Sequence, residues 1–500
     1  MKVLASVDNK SNLDTFLKGI WTQITEVFAS GGTYRFLTEA GIKATNISSL
    51  TGFEDLLGGR VKTLHPAIFS GILSQRDETG KKQLEERGFP EFDMVIVSLY
   101  PFEEAAKTGD LAKMVENIDI GGISLLRAAA KNYEHVAVIS SPDQYSSVQE
   151  ELARSSKISL ETRKRLALRA FSRATDYDIA IYRALAGKFI GTTPSRLYIS
   201  GTQGRELRYG ENPDQKGYVY SDGSSHGIAN AEQLQGKELS YNNLQDSDSA
   251  FETVLEFEEP TAVVMKHNTP CGVCSSSSLS DALRRAIDAD SESAYGSVIA
   301  LNGTFNSECL EVISKMFVEV LIAPDFTPEA LEGLKKKKNL RVLKVPLIAD
   351  ESMRVRSISN GFLVQNRLRT DFENLVLKTG KEGNEDQIRD LKFAWRVVAH
   401  CRSNAIVLAK DRVTVGIGAG QTSRVEALRG AVRRSGERAA GSVMASDAFF
   451  PFKDSVELAA QSGIEAIIQP GGSIRDQEVI SEAQERGIPM YFTGKRVFLH

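Results

Sequence analysis

Between Lys2 and Ser140 the chain alternates short apolar runs, KVLASV, ATNIS, FDMVIVSLY and HVAVIS, with amphipathic stretches such as TFLKGIWTQITEVF, which predicts a helix. This is the pattern of repeated β-α-β units, whose parallel strands are covered on both faces and so read as unbroken apolar segments. It predicts an open parallel sheet flanked by helices, with ligand-binding loops at the carboxyl ends of the strands. From Leu160 to Leu185, LETRKRLALRAFSRATDYDIAIYRAL has the period of one long helix. The following GKFIGTTPSRLYISGTQG is rich in Gly, Thr, Ser and Pro and predicts a domain boundary between 190 and 200.

Beyond that boundary the pattern repeats. Shifted by 145 positions, DALRRAIDADSESAYGSVIA (281–300) falls on EALRGAVRRSGERAAGSVMA (426–445) with ten of twenty residues identical. The shared Gly-Ser-Val tripeptides stand where each helix should feed a strand. A duplicated α/β unit is predicted, with a site between its copies.

Composition narrows the functional classes. The 500 residues carry 61 basic and 65 acidic side chains, a net charge of −4, with 41% hydrophobic residues. That balance lacks the concentrated positive face that nucleic acid requires, so nucleic acid is not expected as a partner. The one basic run, Lys335 to Lys338, reads as a solvated helix end. No window reaches the roughly 20 apolar residues of a membrane span, and the start MKVLASVDNKSNLD turns polar too soon for a signal peptide. Four irregularly placed cysteines fit a reducing compartment, so a cytoplasmic chain without a membrane partner is expected.

Several motifs carry candidate chemistry. Ser30-Gly31-Gly32-Thr33 opens a helical stretch, where free backbone N–H groups suit phosphate; the same residues also make an ordinary capped glycine turn. Within Gly58-Gly59-Arg60-Val61-Lys62-Thr63-Leu64-His65-Pro66, Arg60 and Lys62 are two apart on an extended chain and share a face, suiting an anion or a solvated loop. Asp119 precedes an Ala-rich helix that ends near Lys131, a placement that the helix dipole alone would favour.

At the end of the apolar strand TAVVM stands Lys266-His267-Asn268-Thr269-Pro270-Cys271-Gly272-Val273-Cys274. Its tail resembles half of a zinc-deaminase motif, whose other half is H-x-E. None of the six histidines (65, 135, 226, 267, 400, 500) has Glu two places on, so no zinc is expected. A strand would aim Lys266 and His267 at opposite faces, but Asn268 and Pro270 are expected to break it and let both reach one pocket. Gly416-Ile417-Gly418-Ala419-Gly420-Gln421 departs from a dinucleotide fingerprint at Gln421 yet still allows close backbone approach to a ligand.

Taken in order, SGGT, GGRVKTLHP, LYPF (99–102), NIDIGG with RAAAKN, LRYGENP (207–213), KHNTPCG, SNA (403–405), GIGAGQ, SDAFFPF (446–452) and QPGGSIRDQEVI resemble one family over nearly the whole chain. That family joins phosphoribosylaminoimidazolecarboxamide (AICAR) formyltransferase to inosine monophosphate (IMP) cyclohydrolase. The resemblance implies an α/β chain with a methylglyoxal-synthase-like parallel-sheet cyclohydrolase domain over 1–193. A duplicated, cytidine-deaminase-like α/β transferase region without zinc would follow over 194–500, its subdomains at roughly 200–365 and 390–500.

The same resemblance implies cyclohydrolase chemistry at Lys62, Tyr100, Asp119 and Lys131, with Ser30, Gly32, Thr33 and Arg60 near the phosphate and substrate. For the transferase it implies Lys266, His267 and Asn404, with Arg208, Tyr209, Phe450 and Arg496 as binding positions. The formyl donor would be 10-formyltetrahydrofolate, the other ligands AICAR, formyl-AICAR and IMP, and the assembly a homodimer with transferase sites at its interface. A bound monovalent cation is compatible with it. The chain departs from the family at Ser6-Val7-Asp8-Asn9-Lys10, where SVSDK is usual, and at Ser98, where NLYPF is commoner. Two competing functions stay open: a transferase whose N-terminal domain only binds nucleotide, and a nucleotide sensor without turnover.

Overall fold

The computed structural model describes residues 1–53, 57, 60–190, 195–372 and 374–500. The chain forms two compact units, Met1–Ser200 and Gly201–His500. The boundary expected at 193/194 lies outside the described residues, as do Gly58 and Gly59 of the glycine turn before Arg60.

In the first unit, β1 (Lys2–Val7), β2 (Glu26–Ala29), β3 (Thr45–Asn46), β4 (Met94–Ser98) and β5 (Ala137–Ile139) form a parallel sheet in the order β3-β2-β1-β4-β5. The apolar runs are these strands, and Val3, Leu4, Val95, Ile96, Val138 and Ile139 are fully or almost fully buried, as expected for strands with helices on both faces. One expectation fails in detail. The segment TFLKGIWTQITEVF is not a single helix: a helix covers Leu13–Gly19, a 3-10 turn follows, and Glu26–Ala29 is β2. Val27 and Phe28 are β-formers whose burial in the sheet outweighs the helical spacing of the apolar residues before them. Consequently Ser30 follows a strand, not a helix, and the helix Gly31–Glu39 starts at the strand's carboxyl end. The long helix is present over Leu160–Phe189 and buries Leu166, Ala170 and Tyr177 against the unit's core.

The second unit opens with a hairpin of β6 (Thr202–Leu207) and β7 (Gly217–Ser221) and then β8 (Glu232–Gln235). Its first copy follows: the helix Tyr241–Val254, then β9 (Thr261–Lys266), β10 (Thr269–Ser275), β11 (Ser297–Leu301), β12 (Val318–Ala323) and β13 (Arg341–Lys344), with helices between the later strands. An exposed hairpin of β14 (Arg354–Ile358) and β15 (Gly361–Gln365), and then β16 (Val376–Leu377), lead to the second copy. That copy begins with the helix Glu385–Val398 and contains β17 (Ile406–Lys410), β18 (Val413–Gly418), β19 (Val443–Ser446), β20 (Ala466–Gln469) and β21 (Met490–Phe492).

All but the two separate hairpins join one twelve-stranded sheet, β16-β21-β20-β19-β17-β18-β10-β9-β11-β12-β13-β8. Read outward from its centre, the order is hairpin, then three parallel strands, on both sides, so the repeat seen in the sequence is a structural duplication. The copies meet where β10 pairs antiparallel with β18, and the Thr414 hydroxyl there bonds both the N–H and the C=O of Val273, at 3.0 and 3.4 Å. One sheet face packs on the two leading helices through Val263, Met265, Val407 and Trp395. The opposite face packs on separate helix sets in each copy, through Val264 and Leu283 in the first and Leu408 and Leu428 in the second.

Candidate active sites

In the first unit a cleft of about 430 Å³ opens at the carboxyl ends of β1 and β4, the point where the strand order reverses and where open α/β sheets bind ligands. It is lined by Ser30, Gly32, Thr33, Arg60, Lys62, Tyr100 and Asp119, residues drawn from four separate segments of sequence. Asp8 and Ser98, where the chain departs from the family pattern, line it too, and the Asn9 amide donates to Ser98 Oγ at 2.8 Å.

The geometry gives these residues different tasks. The Thr33 hydroxyl is spent on backbone, accepting from Val7 N at 3.0 Å and donating to Val7 O at 3.1 Å, so it fixes the end of β1. A Cβ on Gly32 would meet only open space, so the protein's own packing does not demand glycine there. Arg60 pairs with Glu116 across the rim.

Asp119 accepts the Gly122 N–H at 2.6 Å, and a Cβ on Gly122 would sit 2.5 Å from that carboxylate, so this glycine admits the acid to the helix start. Burial pushes the Asp119 carboxyl up, while the Gly122 and Tyr100 amides and the Lys62 cation pull it down. The loop is braced from the long helix: the Asp119 amide donates to the Tyr177 hydroxyl at 2.9 Å, which donates to Asn117 O at 2.8 Å. Sequence reading missed Tyr177, whose position inside a helical period carries no local sign of that contact.

Lys131 is not brought into the cleft. It is exposed at the last position of the helix Gly121–Lys131, roughly 15 Å along the axis from the end that carries Asp119.

In the second unit, the expected strand break at Asn268 is instead a two-residue hairpin turn. His267 and Asn268 have φ of 53° and 56°, and β10 resumes at Thr269, with Pro270 taken up beside a bulge. Consecutive left-handed residues match the twist of a two-residue hairpin, but each costs roughly 1–2 kcal/mol when it is not glycine. Turns of this kind persist only where neighbouring contacts hold them. Asp246, on the helix Tyr241–Val254, accepts the Asn268 N–H at 2.6 Å, and Ser249 donates to Asn268 Oδ1 at 3.0 Å. The His267 side chain is exposed, and Lys266 Nζ donates to Tyr295 O at 2.8 Å.

Asn404 lies at the same end of the sheet. The β10/β18 register sets the start of β10 beside the end of β18, and Gly418 there pairs with Ile406, two residues beyond Asn404. Two strand spacings, roughly 10 Å, separate the two edges. The Asn404 amide is oriented at both ends: Nδ2 donates to Gln421 O at 2.9 Å, and Oδ1 accepts from Arg424 at 2.8 Å. Arg424 is itself buried and paired with the fully buried Asp447, which also accepts from Ser403 Oγ at 2.6 Å. Replacing Arg424 with Ala would strand that carboxylate. We expect Arg424→Ala to destabilise the unit by about 3–5 kcal/mol, measured by urea unfolding; a loss below about 1 kcal/mol would mean that Ser403 and the backbone alone hold Asp447.

The remaining positions expected to bind substrate divide. Arg496 is exposed over the Phe498 ring at 4.5 Å, and the extended segment that follows it bonds Asp447 and Ser403 through Val497 N and Leu499 O, which places it beside Asn404. Arg208 stacks on Tyr209 at 5.5 Å, and Glu211 just beyond them accepts from Asn242 and Gln245 on the helix that carries Asp246. Phe450 does not face a site: it is 0% exposed in the second copy's core, and Phe449, at 36%, is the accessible ring. In the run SDAFFPF two adjacent aromatics look alike by composition, and only the packing tells them apart. Burial holds the thiols of Cys271 and Cys274 up at about 12, and among the described residues no three His, Cys, Asp or Glu side chains are placed to hold a metal.

A parallel-sheet domain with a switch-point cleft, ahead of a duplicated α/β region with polar residues converging at one sheet end, defines a two-domain enzyme of small-molecule metabolism. Residues 13–124 match the sequence model of the MGS-like domain, and residues 129–434 that of the AICARFT/IMPCHase bienzyme. The chain is similar over its whole length to proteins named bifunctional purine biosynthesis protein PurH. It is 47% identical to that of Halalkalibacterium halodurans, 45% to that of Persephonella marina and 44% to that of Bacillus cereus, in each case covering 99% of the relative. The chain belongs to the AICARFT/IMPCHase bienzyme family: it is an AICAR formyltransferase and an IMP cyclohydrolase in one polypeptide.

Proposed function

We propose that the cleft of the first unit closes the purine ring and that the sheet end carrying His267 and Asn404 transfers the formyl group, so that one chain performs the last two steps of IMP synthesis in order. The observation that supports the first assignment is the convergence of Lys62, Tyr100 and Asp119 on one cleft from positions 38 and 19 residues apart.

In the transferase step the AICAR amine attacks the formyl carbon of 10-formyltetrahydrofolate, and tetrahydrofolate leaves with the proton that the amine gives up. The amine is a weak nucleophile, because its lone pair is delocalised into the carboxamide. His267 takes its proton, while Lys266 and the second N–H of the Asn404 amide stabilise the oxyanion. Arg208, Tyr209, Arg496 and, in place of Phe450, Phe449 would hold the substrates.

In the cyclohydrolase step the carboxamide nitrogen of formyl-AICAR attacks its own formyl carbon and water is lost. The reaction is intramolecular, so positioning supplies much of the rate. Lys62 faces the developing charge on the formyl oxygen, and Asp119 and Tyr100 move the protons. The helix start after Ser30, with Gly32 and Arg60, takes the phosphate. Lys131 is given no contact with the reacting atoms.

We further propose a homodimer that completes the transferase site. The exposed His267 and the apolar β14/β15 hairpin, with Phe362 at 60% and Leu363 at 56% exposure, favour a covering second copy. No helix among the described residues is long and apolar enough to cross a membrane, and the four cysteines are free, which favours the cytoplasm.

The test is to supply AICAR with 10-formyltetrahydrofolate, and in parallel with formate, and follow the products. IMP from the folate reaction is expected; accumulation of formyl-AICAR alone would favour a transferase with a merely nucleotide-binding first domain. A fragment ending at Ser200 is expected to cyclise supplied formyl-AICAR, which also tests the proposed domain boundary near 193. A cooperatively folded fragment without that activity would overturn the assignment of the cleft.

A further inference from the structure

The two copies of the duplicated unit share a detail that the sequence repeat does not display. In the first, Asp246 lies twenty-one residues ahead of the His267-Asn268 turn and accepts the Asn268 N–H at 2.6 Å, with the His267 amide against the same carboxylate. In the second, Asp390 lies twenty-one residues ahead of the Asp411-Arg412 turn and accepts both amides, Asp411 N at 2.8 Å and Arg412 N at 2.7 Å. Both turns are left-handed at both residues, with φ of 51° and 53° in the second. Each aspartate sits at the sixth position of the helix that leads its copy, and burial pushes both carboxyls up.

The duplicated unit therefore carries a latch, in which a carboxylate on the leading helix holds a strained hairpin turn. What the copies mount on it differs. The second copy's turn presents Arg412, which pairs with Glu259 at 3.1 Å. The first copy's turn presents His267.

We propose that Asp246 is a positioning residue for the formyl transfer: by holding the amides of the turn it fixes the backbone that aims the His267 imidazole. The proposal rests on the assignment of His267 as the base. Asp246 does not touch the reacting atoms; Ser249, one turn further along the helix, supports it through Asn268 Oδ1. The second copy supplies an internal control, because Asp390 makes the same bonds to a turn without the histidine.

The experiment measures kcat and KM for transfer, cyclisation of supplied formyl-AICAR, and the unfolding midpoint in the full-length chain. Asp246→Ala is expected to lower the transfer kcat by roughly 10- to 100-fold, the scale of an ångström-sized misplacement of a reacting group. KM for AICAR should stay within about threefold and cyclisation near the parent rate. Asp246→Asn keeps an acceptor oxygen for the turn and is expected to recover kcat to within about threefold of the parent, where loss of charge alone would leave it as low as the Ala variant. Asp390→Ala should lower the midpoint about as much as Asp246→Ala yet leave transfer near the parent rate. Residues that act through one group are not additive, so Asp246→Ala with His267→Ala should be no slower than His267→Ala.

Transfer near the parent rate in Asp246→Ala, equal loss in Asp246→Asn, or a matching loss in Asp390→Ala would each overturn the positioning role. If His267→Ala itself keeps transfer, the base assignment falls and the positioning role with it; if only His267→Ala is slow, the positioning role alone falls.

Discussion

His267→Ala is expected to slow formyl transfer by roughly 100- to 10,000-fold, the usual worth of a positioned general base, while cyclisation of supplied formyl-AICAR continues near the parent rate. Two structural facts make the expectation selective. The imidazole is exposed on a hairpin turn, so its removal opens no cavity, and the amides of that turn are held by Asp246 whatever side chain stands at 267. A purely structural histidine would show the reverse, near-normal transfer with a lowered unfolding midpoint. Measuring both activities and the midpoint on one preparation separates the two, and normal transfer would end the assignment of His267 as the base.

Lys62→Ala is expected to slow ring closure by about 100- to 1,000-fold, the range for loss of one preorganised oxyanion donor, with formyl transfer unchanged. It should also move the pH dependence. Burial already raises the Asp119 carboxyl and the Lys62 cation opposes that rise, so removing the cation lets the carboxyl go higher. If ring closure uses the Asp119 carboxylate, the acid limb of the rate profile must move to higher pH in the variant. Rates that fall equally in both assays would indicate a damaged fold, and an unmoved acid limb would show that Asp119 is not the titrating group.

Much of this architecture was legible because burial writes itself into strands. KVLASV, FDMVIVSLY and TAVVM are mostly apolar since both faces of each sheet are covered, and the Gly-Ser-Val tripeptides mark where each copy's helix turns into β11 or β19. What escaped were features set by packing at a distance. The latch copies are offset by 144 positions and the helices after them by 145, so no single shift of the sequence displays both. The His-Asn turn read as a strand break, because left-handed φ is expected of Asn-Gly and the acceptor that holds it here is on a preceding helix. Lys131 lay in a motif with Asp119, yet eleven residues of helix carry it to the opposite end. Choosing Phe449 over Phe450 required knowing which ring the second copy's core had taken.

The seam at Thr414 bears on how such a chain arises. β10 and β18 are each the inner edge of a six-stranded half, and an unpaired inner edge recruits whatever strand it meets. Covalent linkage keeps the complementary edge at high effective concentration, so the correct partner outcompetes other chains. A single ancestral unit would have had to close this edge on a twin, two molecules meeting head to head about a twofold axis. Fusion of two such units would make the junction intramolecular and release the halves from having to remain identical. One turn could then carry His267 where the corresponding position of its counterpart is Asp411.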